Sequence, residues 1–206
     1  MIAIVLMVAG MAGYLWFAAT PYLLVVGAMF LWWRGPGWRA IGLRRPASWP
    51  RALLIATALA AYQFASLYLV EPVIARVTTG ELPDVSMFQS LVGDKRQLLF
   101  WLGASWTLAA FVEEMVYRGW LTARVAELAR YSKRGWIVAV VVTSILFGLA
   151  HLYQGVSGVI TTGLTGLMFG GAYLASGRNL WCAILAHGFS DTIGFVMIYL
   201  GVYPGL

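Results

Sequence analysis

Long uncharged segments recur along the 206-residue chain, each with the length of a membrane-spanning helix. Met1 to Trp33 contains no charged residue, and this length exceeds the roughly 20 apolar residues that cross a bilayer. A second uncharged segment runs from Ala52 to Val70, and a third from Leu98 to Val112. The third continues through two glutamates into a helix-prone stretch that ends near Tyr131, which predicts a long helix.

The second half of the chain contains the longest apolar stretch. Residues 135–177 include no Asp, Glu, Lys or Arg, and this length holds two crossings, which we expect to join near Gln154–Gly155. A G-x-x-x-G pattern that begins at Gly166 favours close helix packing. Residues 179–206 supply a last helix. The chain is therefore predicted to be an all-α polytopic membrane bundle of about six transmembrane helices, in a single membrane domain.

Composition supports the same class of protein. Hydrophobic residues make up 61% of the chain and charged residues 11%, against roughly 45–50% and about 25% in soluble domains. This excludes an ordinary soluble globular protein. The single cysteine, Cys182, excludes an intramolecular disulfide and a thiolate metal cluster, and we expect it to be buried.

The basic residues indicate an orientation in the membrane. A net charge of +6 would suit nucleic acid, but a basic excess in a membrane chain marks its cytoplasmic loops, so no nucleic-acid partner is predicted. Eleven of the 14 basic residues fall on one predicted face, namely Arg34, Arg39, Arg44, Arg45, Arg51, Arg118, Arg124, Arg130, Lys133, Arg134 and Arg178. We therefore expect a multi-pass protein of the bacterial cytoplasmic membrane, with both termini outside the cytoplasm.

Several ionisable residues interrupt the apolar helices. They are Glu113, Glu114, His151, His187 and Asp191. An ionisable side chain at membrane depth costs at least about 2.5–3.5 kcal/mol on insertion scales, so such residues normally face the bundle interior and serve a site or a pathway. Five of them predict a functional site inside the bundle.

Spacing divides these residues into pairs on successive helices. Glu114 and Arg118 are one helical turn apart and can form an ion pair, which leaves Glu113 outside that contact. We interpret the pair as structural and assign it no direct chemistry.

Both histidines have a partner four residues away on the same helix face. Phe147 is expected to pack against His151 and shield it, whereas Asp191 can accept the imidazole N–H of His187 and orient the ring. Peptide hydrolysis needs a base for water and a donor to the oxyanion. These residues could supply both, with His151 sharing the water and His187 facing the oxyanion.

Together the three patterns resemble a known family. E-E-x-x-x-R at Glu113 to Arg118, F-x-x-x-H at Phe147 to His151 and H-x-x-x-D at His187 to Asp191 are similar, in this order, to the motifs of the CPBP intramembrane proteases, also called the CAAX prenyl protease 2 or Abi family. The arginine of the first motif is followed by a glycine, which gives an R-G, and an N-L-W precedes the last histidine. The resemblance extends over roughly Leu98 to Gly201.

The resemblance implies a glutamate-dependent endopeptidase that uses no metal or other cofactor. The first glutamate and the first histidine would activate water, and the second histidine with its partner would stabilise the oxyanion. The implied catalytic residues are Glu113, His151, His187 and Asp191, with Glu114, Arg118 and Phe147 in support. The family often has Asn at the last position, where this chain has Asp191.

The resemblance also implies a division of the chain and a class of substrate. Residues 1–97 would contribute two N-terminal helices with their loops, and 98–206 the catalytic core. The expected partners are the lipid bilayer and a membrane-associated peptide or protein, whose cleavable bond must be unwound because a helix hides its carbonyls in hydrogen bonds.

Three alternatives remain open at this stage. Two histidines and a carboxylate are ligand types of a zinc site, although zincins carry both histidines on one helix. Buried Glu, His and Asp could also form the relay of a proton-coupled transporter. The third alternative is a noncatalytic bacteriocin-immunity or scaffold protein of the same fold.

Overall fold

Helices joined by turns make up the structure, a computed structural model that describes residues 19–34 and 37–206. No strand occurs in these two ranges. The first predicted helix, Met1 to Trp33, lies partly outside them. The helices are α1 (Ala19–Arg34), α2 (Gly37–Ala40), α3 (Trp49–Leu69), α4 (Glu71–Val77), α5 (Lys95–Leu128), α6 (Lys133–Leu149), α7 (Gly155–Ala175) and α8 (Leu180–Tyr199), with 3-10 turns at Ser86–Leu91 and Leu152–Gln154.

The predicted helical membrane bundle is confirmed. Within the described residues, α3, α5, the segment Leu152–Ala175 and α8 are long and apolar enough to cross a bilayer. The apolar helix α6 has 17 residues, and the described part of α1 has 16. The turn between α6 and α7 lies where the sequence predicts it, since α7 begins at Gly155.

Polar residues mark the beginnings of the main helices. The side chains of Ser48, Asp94, Ser132 and Asn179 each accept a hydrogen bond from a backbone N–H in the first turn of the helix that follows. Such caps satisfy donors that have no partner within the helix. The long apolar runs therefore start at defined positions.

The long helix α5 is not a regular α-helix. Its 34 residues include two π-helical stretches, Ser105–Glu113 and Met115–Leu121, which flank Glu114. π-Helical turns are rare and occur frequently at functional sites. Here they coincide with the E-E-x-x-x-R motif.

Small residues allow the helices around α8 and α7 to approach closely. A Cβ at Gly166 of α7 would lie 3.0 Å from the Cβ of Ser144 in α6, as the G-x-x-x-G pattern predicts. A Cβ at Gly188 of α8 would lie 2.6 Å from the ring of Trp106 in α5. The indole of Trp106 also donates to the Thr192 hydroxyl over 3.1 Å. Helix α8 therefore packs directly against the π-helical part of α5.

A loop covers one end of the bundle. It connects α4 to α5 through residues 78–94. The Asp84 N–H donates to the Gln154 carbonyl over 3.0 Å, and the Ser157 hydroxyl donates to the Glu81 carbonyl over 2.7 Å. The Gly93 N–H donates to the carbonyl of Tyr199 at the end of α8. The loop is thus tied to the α6–α7 turn and to α8.

Candidate active site

A cavity of about 680 Å³ lies between α5, α8 and the α6–α7 turn. Its lining includes the four residues that the sequence marks as catalytic, Glu113, His151, His187 and Asp191. The three motifs, which are far apart in the sequence, therefore meet in one cavity. The lining also includes Ser105 and Tyr153, which the sequence did not single out.

Glu114 joins two of the motifs in the packed interior. Its Oε1 atom lies 2.9 Å from Nη1 of Arg118, so the predicted ion pair is confirmed. The same oxygen lies 2.9 Å from Nδ1 of His187, which donates to it. Glu114 has no exposed surface and Arg118 is 2% exposed. Its carboxylate is thus a buried charge with two partners, one on its own helix and one on α8.

The contact between Glu114 and His187 corrects the predicted role of Asp191. The sequence predicts that Asp191 accepts the imidazole N–H and orients the ring. The Oδ2 atom of Asp191 lies 3.6 Å from Nε2 of His187, beyond hydrogen-bond distance. Asp191 instead accepts a hydrogen bond from the Ser105 hydroxyl over 2.7 Å. The ring is therefore held by Glu114 on another helix, because α8 turns Nδ1 toward α5.

His151 is held by its own helix. Its Nδ1 atom lies 2.8 Å from the Phe147 carbonyl oxygen, and because a carbonyl only accepts, Nδ1 is the donor. In a neutral ring, Nε2 then carries the lone pair. The ring centroids of Phe147 and His151 are 4.9 Å apart, which confirms the predicted packing. A second aromatic ring, that of Tyr153, has its centroid 5.7 Å from the centroid of the His151 ring.

Glu113 differs from its neighbour in the sequence. Its side chain lines the cavity and makes no hydrogen bond or ion pair within the described residues. The charges of His187 and Asp191 act on it from nearby. Two adjacent carboxylates thus have distinct surroundings, since Glu113 faces the cavity and Glu114 is enclosed by partners.

Aromatic rings enclose the guanidinium of Arg118. It stands 4.1 Å from the ring centroid of Phe147 and 5.6 Å from that of Phe169 in α7. The Phe169 ring also lies 5.4 Å from the ring of His187. These rings exclude water from the Glu114 charge cluster, which strengthens its ion pairs. Of these two phenylalanines, only Phe147 belongs to a motif that the sequence analysis identifies.

Metal-ligating side chains are not arranged as a metal centre. In the part of the chain that the structure describes, no group of three or more His, Cys, Asp or Glu side chains has the geometry to hold a metal ion. Cys182 is buried, as predicted, and lies outside the residues that line the cavity.

The fold and the cavity define a helical membrane protein with carboxylates and imidazoles gathered inside the bundle. Residues 95–193 match the family model Rce1-like, described as type II CAAX prenyl endopeptidase Rce1-like. No curated protein and no solved structure gives a significant match. The match covers just under half of the chain, and it confirms the resemblance of this segment to the CPBP, or CAAX protease, family that the three motifs predict.

The match also bears on the activity. It supports a CAAX-type intramembrane protease at the level of the family, and the long apolar helices of the described residues support an integral membrane protein. A membrane-associated substrate in the bilayer fits both findings. The matched segment contains every site residue named above.

Proposed function

We propose that the protein hydrolyses a peptide bond in a membrane-associated substrate with water activated by Glu113 and His151, without a metal ion. The observation that carries this proposal is the short contact between Nδ1 of His151 and the Phe147 carbonyl oxygen. The Nδ1 proton of the ring is bound to this carbonyl, so Nε2 is available to accept a proton from water. Glu113 supplies a second base in the same cavity.

His187 fits the role of oxyanion donor. The carboxylate of Glu114 at Nδ1 stabilises a positive charge on the ring, and the Nε2–H can then donate to the oxygen that becomes negative in the tetrahedral intermediate. Asp191 adds a negative charge 3.6 Å from Nε2. In this mechanism Asp191 acts by charge and position, rather than by orienting the ring.

The reaction balances with water alone. The hydroxide part of the water bonds to the carbonyl carbon while its proton passes to Glu113 or His151. That proton moves to the nitrogen of the leaving amine as the C–N bond breaks. Two groups able to hold a proton in one cavity allow the same pair to act first as base and then as acid.

We also infer the membrane orientation and the division of the chain. The basic residues support both termini outside the cytoplasm of a bacterial cell. Residues 98–206 would form the catalytic core, and residues 1–97 two supporting helices. Leu23 of α1 packs in one apolar cluster with residues of α5 such as Met115 and Val116, which supports a single membrane domain.

Replacement of Glu113 tests the proposal. Glu113→Gln keeps the shape of the side chain but cannot take a proton from water, so peptide trimming should be abolished while the protein stays in the membrane. Quantitative membrane proteomics of matched strains would identify the peptide that is no longer trimmed. Glu81→Gln is the matched control, because Glu81 is an exposed loop residue. Normal trimming by Glu113→Gln would contradict the assignment.

Two further measurements separate the alternatives. Purified protein should cleave the peptide in the presence of chelators, and elemental analysis should find no stoichiometric zinc. Zinc that tracks with activity would favour a metalloprotease. Ion flux through reconstituted vesicles without cleavage would favour transport, and neither cleavage nor flux would favour a noncatalytic immunity or scaffold protein.

A further inference from the structure

A third carboxylate faces the catalytic cavity, and the mechanism does not use it. Glu71 is the first residue of α4, directly after α3, and its side chain lines the cavity. Only 8% of the residue is exposed, and it makes no hydrogen bond or ion pair with any described residue. A buried carboxylate without a partner is costly, so its retention needs a reason.

Tyr203 links Glu71 to the catalytic residues. Burial raises the pKa of the Tyr203 hydroxyl, and the charges of Glu71 and Asp191 raise it further. Tyr203, Glu71 and Asp191 all line the same cavity. Glu71 is thus in the same chamber as the proposed reaction rather than in a separate pocket.

The cavity suits a positively charged group. Its described lining includes three carboxylates, those of Glu71, Glu113 and Asp191, but no lysine or arginine. The proposed cation in the lining, His187, is already paired with Glu114. Two of these carboxylates have a function in the proposed mechanism, which leaves Glu71 to interact with whatever enters.

An aromatic cluster in the lining adds to this preference. Phe88 and Trp101 have ring centroids 4.9 Å apart, Phe88 and Phe195 5.2 Å, and Trp101 and Phe195 6.0 Å. All three residues line the cavity. Aromatic faces attract cations, and the attraction grows when water is excluded. A carboxylate together with aromatic rings in one chamber is an environment for an ammonium or guanidinium group.

We propose that Glu71 forms a specificity subsite that binds a basic group of the substrate, either a Lys or Arg side chain or a free amino terminus, while the neighbouring peptide bond lies at Glu113 and His151. This inference rests on the proposed function. Binding of the cation gives Glu71 the partner that it lacks among the described residues, and it fixes the register of the peptide in the cavity.

A lysine scan of synthetic peptides tests the subsite. One lysine is moved through an otherwise uncharged, lipid-anchored peptide, and each peptide is compared with its norleucine counterpart, which has a side chain of similar length without the charge. Cleavage by the protein in liposomes is followed by mass spectrometry. At one position, kcat/KM for lysine should exceed that for norleucine about tenfold, in line with a hydrogen bond to a charged group.

Variants then assign this preference to Glu71. Glu71→Gln should bring the ratio of lysine to norleucine close to one, whereas Glu81→Gln, on the exposed loop, should leave the ratio unchanged. Acetylation of the peptide's amino terminus separates the two sources of cation: loss of the preference on acetylation identifies the terminus, and its persistence identifies the side chain.

The possible results distinguish a failure of the subsite proposal from a failure of the proposed function. Cleavage by the wild type with no preference at any position would overturn the subsite and leave the protease intact, and this result needs no variant to fold. An equal decrease for both peptides in Glu71→Gln would make Glu71 structural and would also overturn the subsite. Peptides that bind with a Glu71-dependent lysine preference, measured by fluorescence anisotropy, but are never cleaved would retain the subsite and reject the proposed function.

Discussion

His151 and His187 line one cavity, yet the same ring nitrogen binds a different acceptor in each. Nδ1 of His151 donates to the backbone carbonyl of Phe147, and Nδ1 of His187 donates to the carboxylate of Glu114. A neutral carbonyl fixes the tautomer without adding charge, whereas a carboxylate also stabilises the protonated ring. In the proposed mechanism, the acceptor therefore prepares one histidine as a base and the other as a cationic donor.

Position along the helix explains this difference. His151 follows the last turn of α6, where the carbonyl of Phe147 four residues earlier can bind the ring. His187 lies inside α8, and its acceptor comes from another helix. Two residues of one type can thus have opposite roles because one depends on local geometry and the other on packing.

Between the two histidines and their partners, the largest loss of activity is expected from the removal of His151, the ring that is bound to the uncharged carbonyl. His151→Ala deletes a proposed base for water, and cleavage should decrease about 10²–10⁴-fold, measured as initial rate in liposomes. Leu152→Ala is the control, because Leu152 is the adjacent residue and is exposed. Wild-type rates in His151→Ala would mean that Glu113 acts without the imidazole.

Removing the charge of Glu114, the partner of His187, should reduce both the cleavage rate and the stability of the fold. Glu114→Gln retains the shape but not the charge at His187 and Arg118, so we expect about a hundredfold slower cleavage, similar to loss of an oxyanion donor. An uncompensated Arg118 should destabilise the fold by roughly 3–5 kcal/mol. Thermal unfolding in detergent measures the second effect. Unchanged unfolding would show that the buried ion pair does not support the fold.

Two substitutions of Asp191 separate the effect of its charge on activity from the effect of its hydrogen bond. Asp191→Asn keeps an acceptor for the Ser105 hydroxyl but loses the charge near Nε2 of His187, and we expect about a tenfold decrease in kcat. Asp191→Ala loses both and should be considerably slower. If the two variants are equally slow, the charge alone accounts for the role of Asp191.

Substitution of Ser105, which binds Asp191 near His187, should have a smaller effect on the cleavage rate. Ser105→Ala removes the hydrogen bond to Asp191, and a net 0.5–1.5 kcal/mol for such a bond corresponds to a decrease of about two- to tenfold. The effect should disappear when Asp191 is already alanine, since the two residues act through one contact. Full additivity in this double-mutant cycle would contradict the assigned role.

Glu71 is a carboxylate with no hydrogen-bond or ion-pair partner in the part of the chain that the structure describes, and its effect on stability should depend on pH. Burial raises its pKa from 4.5 to about 7. The folded protein then holds a proton that the unfolded chain releases, so this contribution to stability is complete below about pH 4.5 and is lost as pH rises through 7. The loss should amount to roughly 1–3 kcal/mol.

Thermal unfolding at pH 4.5 and pH 8 measures this loss. The decrease in melting temperature between the two conditions should be smaller in Glu71→Gln than in the wild type and in Glu81→Gln. An equal decrease in all three proteins would mean that Glu71 is already solvated in the folded state.

Two of the three contacts that the sequence predicts within a helix are present, whereas the contacts between helices have no such signal in the sequence. The four-residue spacing places Glu114 beside Arg118 and Phe147 beside His151 whatever the surrounding fold. Uncharged length likewise predicts the helices. The family motifs point to the residues of the cavity before any geometry is known.

The contacts that the sequence does not predict all depend on which helices pack against each other. The contact of Glu114 with His187 and that of Ser105 with Asp191 join α5 to α8, and no spacing within one helix encodes them. The sequence therefore assigned the orientation of His187 to Asp191, its neighbour on the same helix. Glu71 was missed because it follows α3 in the chain and reaches the cavity only through folding.

In the π-helical part of α5, the number of residues is as important for the site as their identity. Ser105 and Glu113 are the first and last residues of one π-helical stretch, and both line the cavity. Deleting one residue between them would shorten the helix and rotate one end against the other; in a regular α-helix, one residue corresponds to about 1.5 Å and about 100°. A register change of this size would move Ser105 away from Asp191 while leaving every motif intact. Insertions and deletions in this stretch should therefore be less tolerated than substitutions at the same positions.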